Sequence, residues 1–118
     1  MIEELVSRVF AVRNAAHVAH WKSKTLSEHM ALGSFYDEII DTLDKLVEAY
    51  QGYFGLIGEV PSASPTQAAI IPYITVEAAW ISKNRSTIAK SVPALENIVD
   101  ELTGVYLITI YKLKIITS

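Results

Sequence analysis

Leu32, Tyr36, Ile39, Leu43, Leu46, Tyr50 and Tyr53 follow one another at alternating spacings of four and three. Only an α-helix turns that period into a single apolar stripe, and three heptads of it make a stripe about 30 Å long that other helices must cover. The rest of the chain supplies them. Leu5, Val9, Val12, Ala16 and Ala19 repeat the spacing across a stretch free of Pro and Gly, which predicts a first helix over Ile2 to Lys22. The polar link Lys22-Ser23-Lys24-Thr25 follows, with Thr25 and Glu28 spaced as a capping box for the helix that carries the long stripe.

Gly52, Gly55 and Gly58 then weaken helical propensity, and Pro61, Pro65 and Pro72 among Ser62, Ser64 and Thr66 mark a connection of some 12 to 18 residues. A third helix is predicted from near Thr75, through Trp80 and Ile81, to about Lys90. Ser91 as N-cap and Pro93 in the first turn signal a fourth, whose core face is Leu95, Ile98, Leu102, Val105 and Tyr106. Its end, Tyr106 to Thr117, is rich in β-branched and aromatic residues, yet a lone strand there has no partner, so it too is expected to be helix. A short first turn, a long middle connection and a close last junction are those of an all-α, ferritin-like four-helix bundle with one long crossover, formed by residues 1–118 as a single domain.

Composition removes several kinds of chemistry. The chain has no cysteine, which excludes disulfides, iron–sulfur clusters and thiol nucleophiles and leaves only nitrogen and oxygen to hold a metal. The start Met1-Ile2-Glu3-Glu4-Leu5 lacks the basic and apolar regions of a secretory signal, and no run is long enough to span a membrane, so a cytoplasmic setting is expected. A net charge of −3 without any Lys- or Arg-rich arm gives nucleic-acid binding no support.

All three histidines, His17, His20 and His29, fall within thirteen positions around the first turn. Beside the apolar stripe of the second helix runs an acidic one, Asp37, Asp41, Asp44 and Glu48, rotated about 100° from it. His29 and Asp44 lie more than about 20 Å apart along that helix. Histidines and carboxylates can therefore share an ion only if His20 and His29 of one subunit meet Asp44 and Glu48 of another across a two-fold axis. Such a sulfur-free set suits iron, manganese or zinc. His17 reads as a structural residue, Asp37 and Asp41 as solvated acids with Asp41 four residues before Lys45, and Trp80 as core. Glu77, Glu96, Asp100 and Glu101 make a poor di-metal set, because no Glu-x-x-His occurs in the second half.

The run His17-Val-Ala-His20-Trp21, then His29, Phe35-Tyr36-Asp37-Glu38 and Asp44-Lys-Leu-Val-Glu48, resembles the ferroxidase signature of the Dps-type miniferritins. The chain is also similar to short phage-encoded ferritin-like proteins. The miniferritin resemblance implies His20, His29, Asp44 and Glu48 as intersubunit iron ligands, Trp21 as their aromatic neighbour, and oxidation of Fe(II) for storage or detoxification. It further implies a homo-oligomer, at least a two-fold dimer and up to a dodecamer. Three features depart from that pattern: the nine-residue interval from His20 to His29 is about three shorter than usual, the chain is short and lacks the Lys-rich tail by which some members bind DNA, and Gly33 stands where many members carry an acid. The alternative reading is a ferritin-fold structural or interaction protein, phage or bacterial, without iron chemistry.

Overall fold

The computed structural model describes residues 1–67 and 69–116 and is all-helical. The helices are α1 (Ile2–Lys22), α2 (Leu26–Phe54), α3 (Ile70–Lys83), the five-residue α4 (Arg85–Ala89) and α5 (Pro93–Lys114). Among the described residues there are five helices where four are expected. The first helix has the predicted bounds, with Leu5, Val9, Val12 and Ala16 fully buried. Thr25 caps α2, its hydroxyl accepting the amide N–H of Glu28 at 3.2 Å.

The long stripe is rotated slightly from its predicted line. Phe35 takes the core position, fully buried and edge-on to Tyr106 at 5.1 Å, whereas Tyr36 is half-buried on the α1 side and Tyr53 is exposed. Tyr36, one position round the helix from Phe35, is covered by the ring of His17 and the guanidinium of Arg13. Gly55, at φ +100°, ends α2 in backbone that L side chains rarely adopt.

The third helix starts five residues earlier than expected. Pro72 marks no loop: it sits in the first turn of α3, where a missing N–H and a fixed φ are tolerated. That helix also stops early. Asn84 turns its side chain back onto the carbonyl of Trp80 at 2.8 Å, which caps α3 and separates it from α4. Lys90 and Ser91 then both take left-handed backbone, at φ 50° and 60°. Val92, not Ser91, is therefore the N-cap of α5, with Pro93 at N1 as expected. Leu95, Val99, Leu102, Tyr106 and Thr109 form the inner face of α5, while Ile98 and Val105 flank it. The β-prone end is helix to Lys114; Thr117 lies outside the described residues.

The four longer helices pack in a circuit, α1 on α2, α2 on α5, α5 on α3 and α3 on α1, around one core to which all of them contribute. Phe35 against Tyr106 and Lys45 against Glu101 show that α2 and α5 run antiparallel, and Arg8 of α1 meets Glu77 of α3. The connection 55–69 thus joins helices that are not neighbours in the circuit. It is strapped to α1, where the amide N–H of Gly58 donates to Glu3 at 2.8 Å and the Ser7 hydroxyl to the carbonyl of Ser62. Among the described residues no helix is long and apolar enough to cross a membrane.

Candidate functional site

His20 closes α1 and His29 opens α2, and the three-residue turn between these helices lays one imidazole over the other. The ring centroids are 3.7 Å apart and the planes 22° from parallel. Each ring also binds the other residue's backbone: Nδ1 of His20 lies 2.6 Å from the carbonyl of His29, and Nδ1 of His29 lies 3.0 Å from the carbonyl of His20. A carbonyl only accepts, so both Nδ1 atoms are the donors of these bonds, and in a neutral ring so held Nε2 is the atom with the free lone pair. Helix ends leave carbonyls without partners. The carbonyl of His20 is one, and it accepts from the Ser23 hydroxyl at 2.7 Å as well.

Gly33 makes this clasp possible. A Cβ built at Gly33 would lie 3.1 Å from Cε1 and 3.3 Å from Nδ1 of His20, so a side chain there requires the ring to give by a few tenths of an ångström. The residue that departs from the miniferritin pattern is the one His20 needs. Beside the clasp, His17 stacks on Tyr36 at 4.1 Å and meets Trp21 at 4.4 Å, while Arg13 lies 5.0 Å over the Tyr36 ring. Loss of hydration at this stacked position, followed by the charges of Arg13 and His20, holds the pKa of His17 below the usual imidazole value.

The carboxylates are elsewhere. Asp44 and Glu48 are exposed one turn apart on α2, about 22 and 28 Å along the axis from His29. Within one chain, and among the described residues, no three His, Asp or Glu side chains gather as a metal cluster. The two rings also do not converge as they lie. Planes so close to parallel meet only roughly 9 Å away, whereas metal–nitrogen bonds are near 2 Å, so an ion shared by both rings requires one to turn and release its carbonyl.

The second-half acids are each paired with a cation. Glu77 is buried and accepts two bonds from Arg8, at 3.0 and 2.9 Å; Asp100 and Glu96 pair with Arg85; Glu101 takes Lys45. Lys45 therefore serves α5, not Asp41. Trp80 is more than packing, since Arg8 lies 4.2 Å over its ring. Sequence reasoning passed over the Arg8–Glu77 pair, although Glu77 is the lone charge in the run from Ile70 to Ile81. Burial, with Glu77 and Tyr73 close by, also pushes the hydroxyl of Tyr106 far above the ordinary phenol value.

A second surface carries no ionisable cluster at all. On the side of α5 away from its buried face, Gly104, Ile108, Tyr111 and Ile115 follow a four-three-four spacing, with Leu107 alongside. Ile108, Tyr111 and Ile115 leave 56%, 54% and 67% of their surface in solvent. This helix is thus apolar on two opposite faces, and the described residues bury only one of them. Sequence reasoning assigned that segment its helix without following the second spacing. Next to it, a groove between α3 and α5 is lined by Thr75, Ala78, Ala79, Ser82, Thr103 and Leu107.

The chain belongs to a family of unknown function, DUF5856, whose profile matches residues 20–113. It is also similar to an uncharacterized 14.6 kDa protein from the mobD-ri intergenic region of Enterobacteria phage T4, at 26% identity over 115 residues, covering 96% of this chain and 88% of the phage protein. No solved structure matches the chain. These findings overturn the miniferritin resemblance. The family match takes in His20 to Glu48, most of the His17 to Glu48 run on which that resemblance stood, and it is to a family of unknown function, with nothing that indicates a miniferritin or another ferritin-like protein.

Proposed function

We propose that this DUF5856 protein is a helical structural or interaction module, which acts by offering the outer face of α5 to a protein partner and performs no iron chemistry. The observation that carries the reading is the exposed seam Ile108, Tyr111 and Ile115, an apolar stripe at helical spacing on the opposite side of α5 from the core. Surfaces of that kind mark sites of association. The similarity to a phage protein supports a phage setting. The circuit of helices, with its connection between non-neighbouring helices, supports a four-helix bundle with one long crossover in which α4 is an insert.

The test is Ile108→Asp with Tyr111→Asp, compared with the unchanged chain for self-association and for the proteins it retains from the cells that make it. The double variant should fold and lose those contacts. If the variant keeps every contact of the original, the reading fails.

A second reading is a divalent ion at His20 and His29, completed by Asp44 and Glu48 of a two-fold mate. What favours it is the tautomer: a ring that donates Nδ1–H to a carbonyl has the arrangement common among metal-binding histidines. Iron, manganese and zinc all suit such donors. Calorimetric titration with each ion, before and after His20→Ala, tests it; heat unaffected by the substitution rules the site out.

A further inference from the structure

Gly104 lies in the interior of α5, where glycine weakens a helix, and nothing among the described residues lies within 4 Å of the position its Cβ would take. The fold of one chain gives no reason for a glycine there. Contrast Gly33, whose missing Cβ is filled by the His20 ring. A reason appears if another helix crosses at Gly104, because a residue without a side chain lets two helices come close.

We infer that the outer seam of α5 is a two-fold interface with a second copy of this chain, the two α5 helices running antiparallel. This rests on the interaction reading above and names its partner. The seam is self-complementary in one register. An antiparallel alignment that sets Ile108 against the copy's Tyr111 sets Gly104 against the copy's Ile115 as well, with the same relations in reverse. Large residues then meet each other at the centre, and the most exposed one, Ile115, enters the space that Gly104 leaves open. Charge does not oppose this direction: Lys114 comes within about 6–8 Å, along the axis, of the copy's Glu101 and Asp100, which keep Lys45 and Arg85 of their own chain as partners, whereas a parallel pair would align the lysine-bearing ends.

The area is of the right order once the flanks are included. Leu107, Ile108, Tyr111, Ile115 and Ile116 are each 45–67% exposed. At roughly 150–200 Å² of exposable surface per large apolar residue they present about 400–550 Å², against the roughly 800 Å² per partner that stable pairs bury. The groove of small residues between α3 and α5 lies directly beside Leu107, and Met30 and Ile116 line one recess between α2 and α5, so apolar surface continues on both sides.

The chain has no cysteine, which allows a direct test of register. Gly104→Cys and Ile115→Cys are made as separate full-length chains, mixed, and oxidised. The mixture should give a cross-linked heterodimer. Gly104→Cys alone should give essentially none, because its two copies lie about 16 Å apart along the axis and a disulfide needs Cα atoms within about 7 Å. Sedimentation of the cysteine-free chain should show a dimer at about 100 μM, and Gly104→Ala should raise its dissociation constant at least about tenfold while leaving the protomer as stable or more so. A monomer at that concentration overturns the inference, as does cross-linking of Gly104→Cys alone as readily as the mixture. A monomer that still retains another protein through Ile108 and Tyr111 overturns only the identity of the partner. A chain that neither self-associates nor retains anything through these residues overturns the interaction reading as well.

Discussion

The α1–α2 turn and the outer face of α5 make opposite use of their residues. At the turn, three histidines, a tryptophan, a tyrosine and an arginine are packed on one another, and both His20 and His29 spend a ring nitrogen on a backbone carbonyl. On α5, isoleucine, leucine and tyrosine side chains of no chemical reactivity stand free in solvent. Side chains that look suited to chemistry can be committed to holding a turn together, while plain apolar ones are left available for another molecule. The turn's polar ring atoms are committed to backbone carbonyls, although Trp21 beside them is as exposed as Ile115 on α5, at 67% each.

The largest effect should come from the exposed side. Ile108→Asp with Tyr111→Asp should weaken self-association about a hundredfold or more in sedimentation, as loss of buried apolar anchors does, with the melting temperature of dilute protein almost unchanged. At the turn the effect should fall on stability instead. His20→Ala removes the ring stack and one hydrogen bond and leaves the carbonyl of His29 with one partner fewer, for a loss of about 1–2 kcal/mol in denaturant unfolding.

Two glycines give a matched comparison. Gly104→Ala enters open space and should stabilise the protomer by about 0.5–1 kcal/mol, the usual gain of alanine over glycine in a helix. Gly33→Ala should not, because the new Cβ meets His20 at 3.1 Å and the ring must give by a few tenths of an ångström while bonded to its carbonyl; unfolding should place it below Gly104→Ala by at least about 1 kcal/mol. Equal gains at both positions would remove the distinction between a filled and an open site.

The smallest effect is one of pH. His17 has a lowered pKa in the folded chain, so the unfolded chain takes up its proton first as pH falls below the ordinary imidazole value. The stability it contributes is fully present above that value and is lost as pH falls through the lowered one. NMR titration of the His17 ring should give a midpoint below 6.5, and Tyr36→Leu, which removes its stacking partner, should move that midpoint upward.

Much of the fold was legible in the sequence because it follows from periodicity. The four-three spacing located α1 and α2, Leu95, Leu102 and Tyr106 were placed on the inner face of α5, and Thr25 announced the start of α2. What misled was local punctuation whose meaning depends on position. Pro72 reads as a loop until it is found in a first turn, and Asn84 reads as an ordinary helical residue until its side chain takes the carbonyl of Trp80. At the candidate site, the closeness of His20 and His29 was legible from the short turn. Their mutual clasp was not, because it depends on Gly33 leaving room for a ring from another helix. The outer seam of α5 was present in the sequence as a spacing. Which of two apolar faces a helix turns inward is fixed by its neighbours, and no single segment records that.

The contrast between the two regions is tested most directly by measuring stability and self-association together for His20→Ala and Ile108→Asp. The account predicts a crossed result: His20→Ala unfolds at lower denaturant and associates as before, while Ile108→Asp unfolds as before and associates weakly. The reverse pattern, with association lost at His20 and stability lost at Ile108, would contradict it.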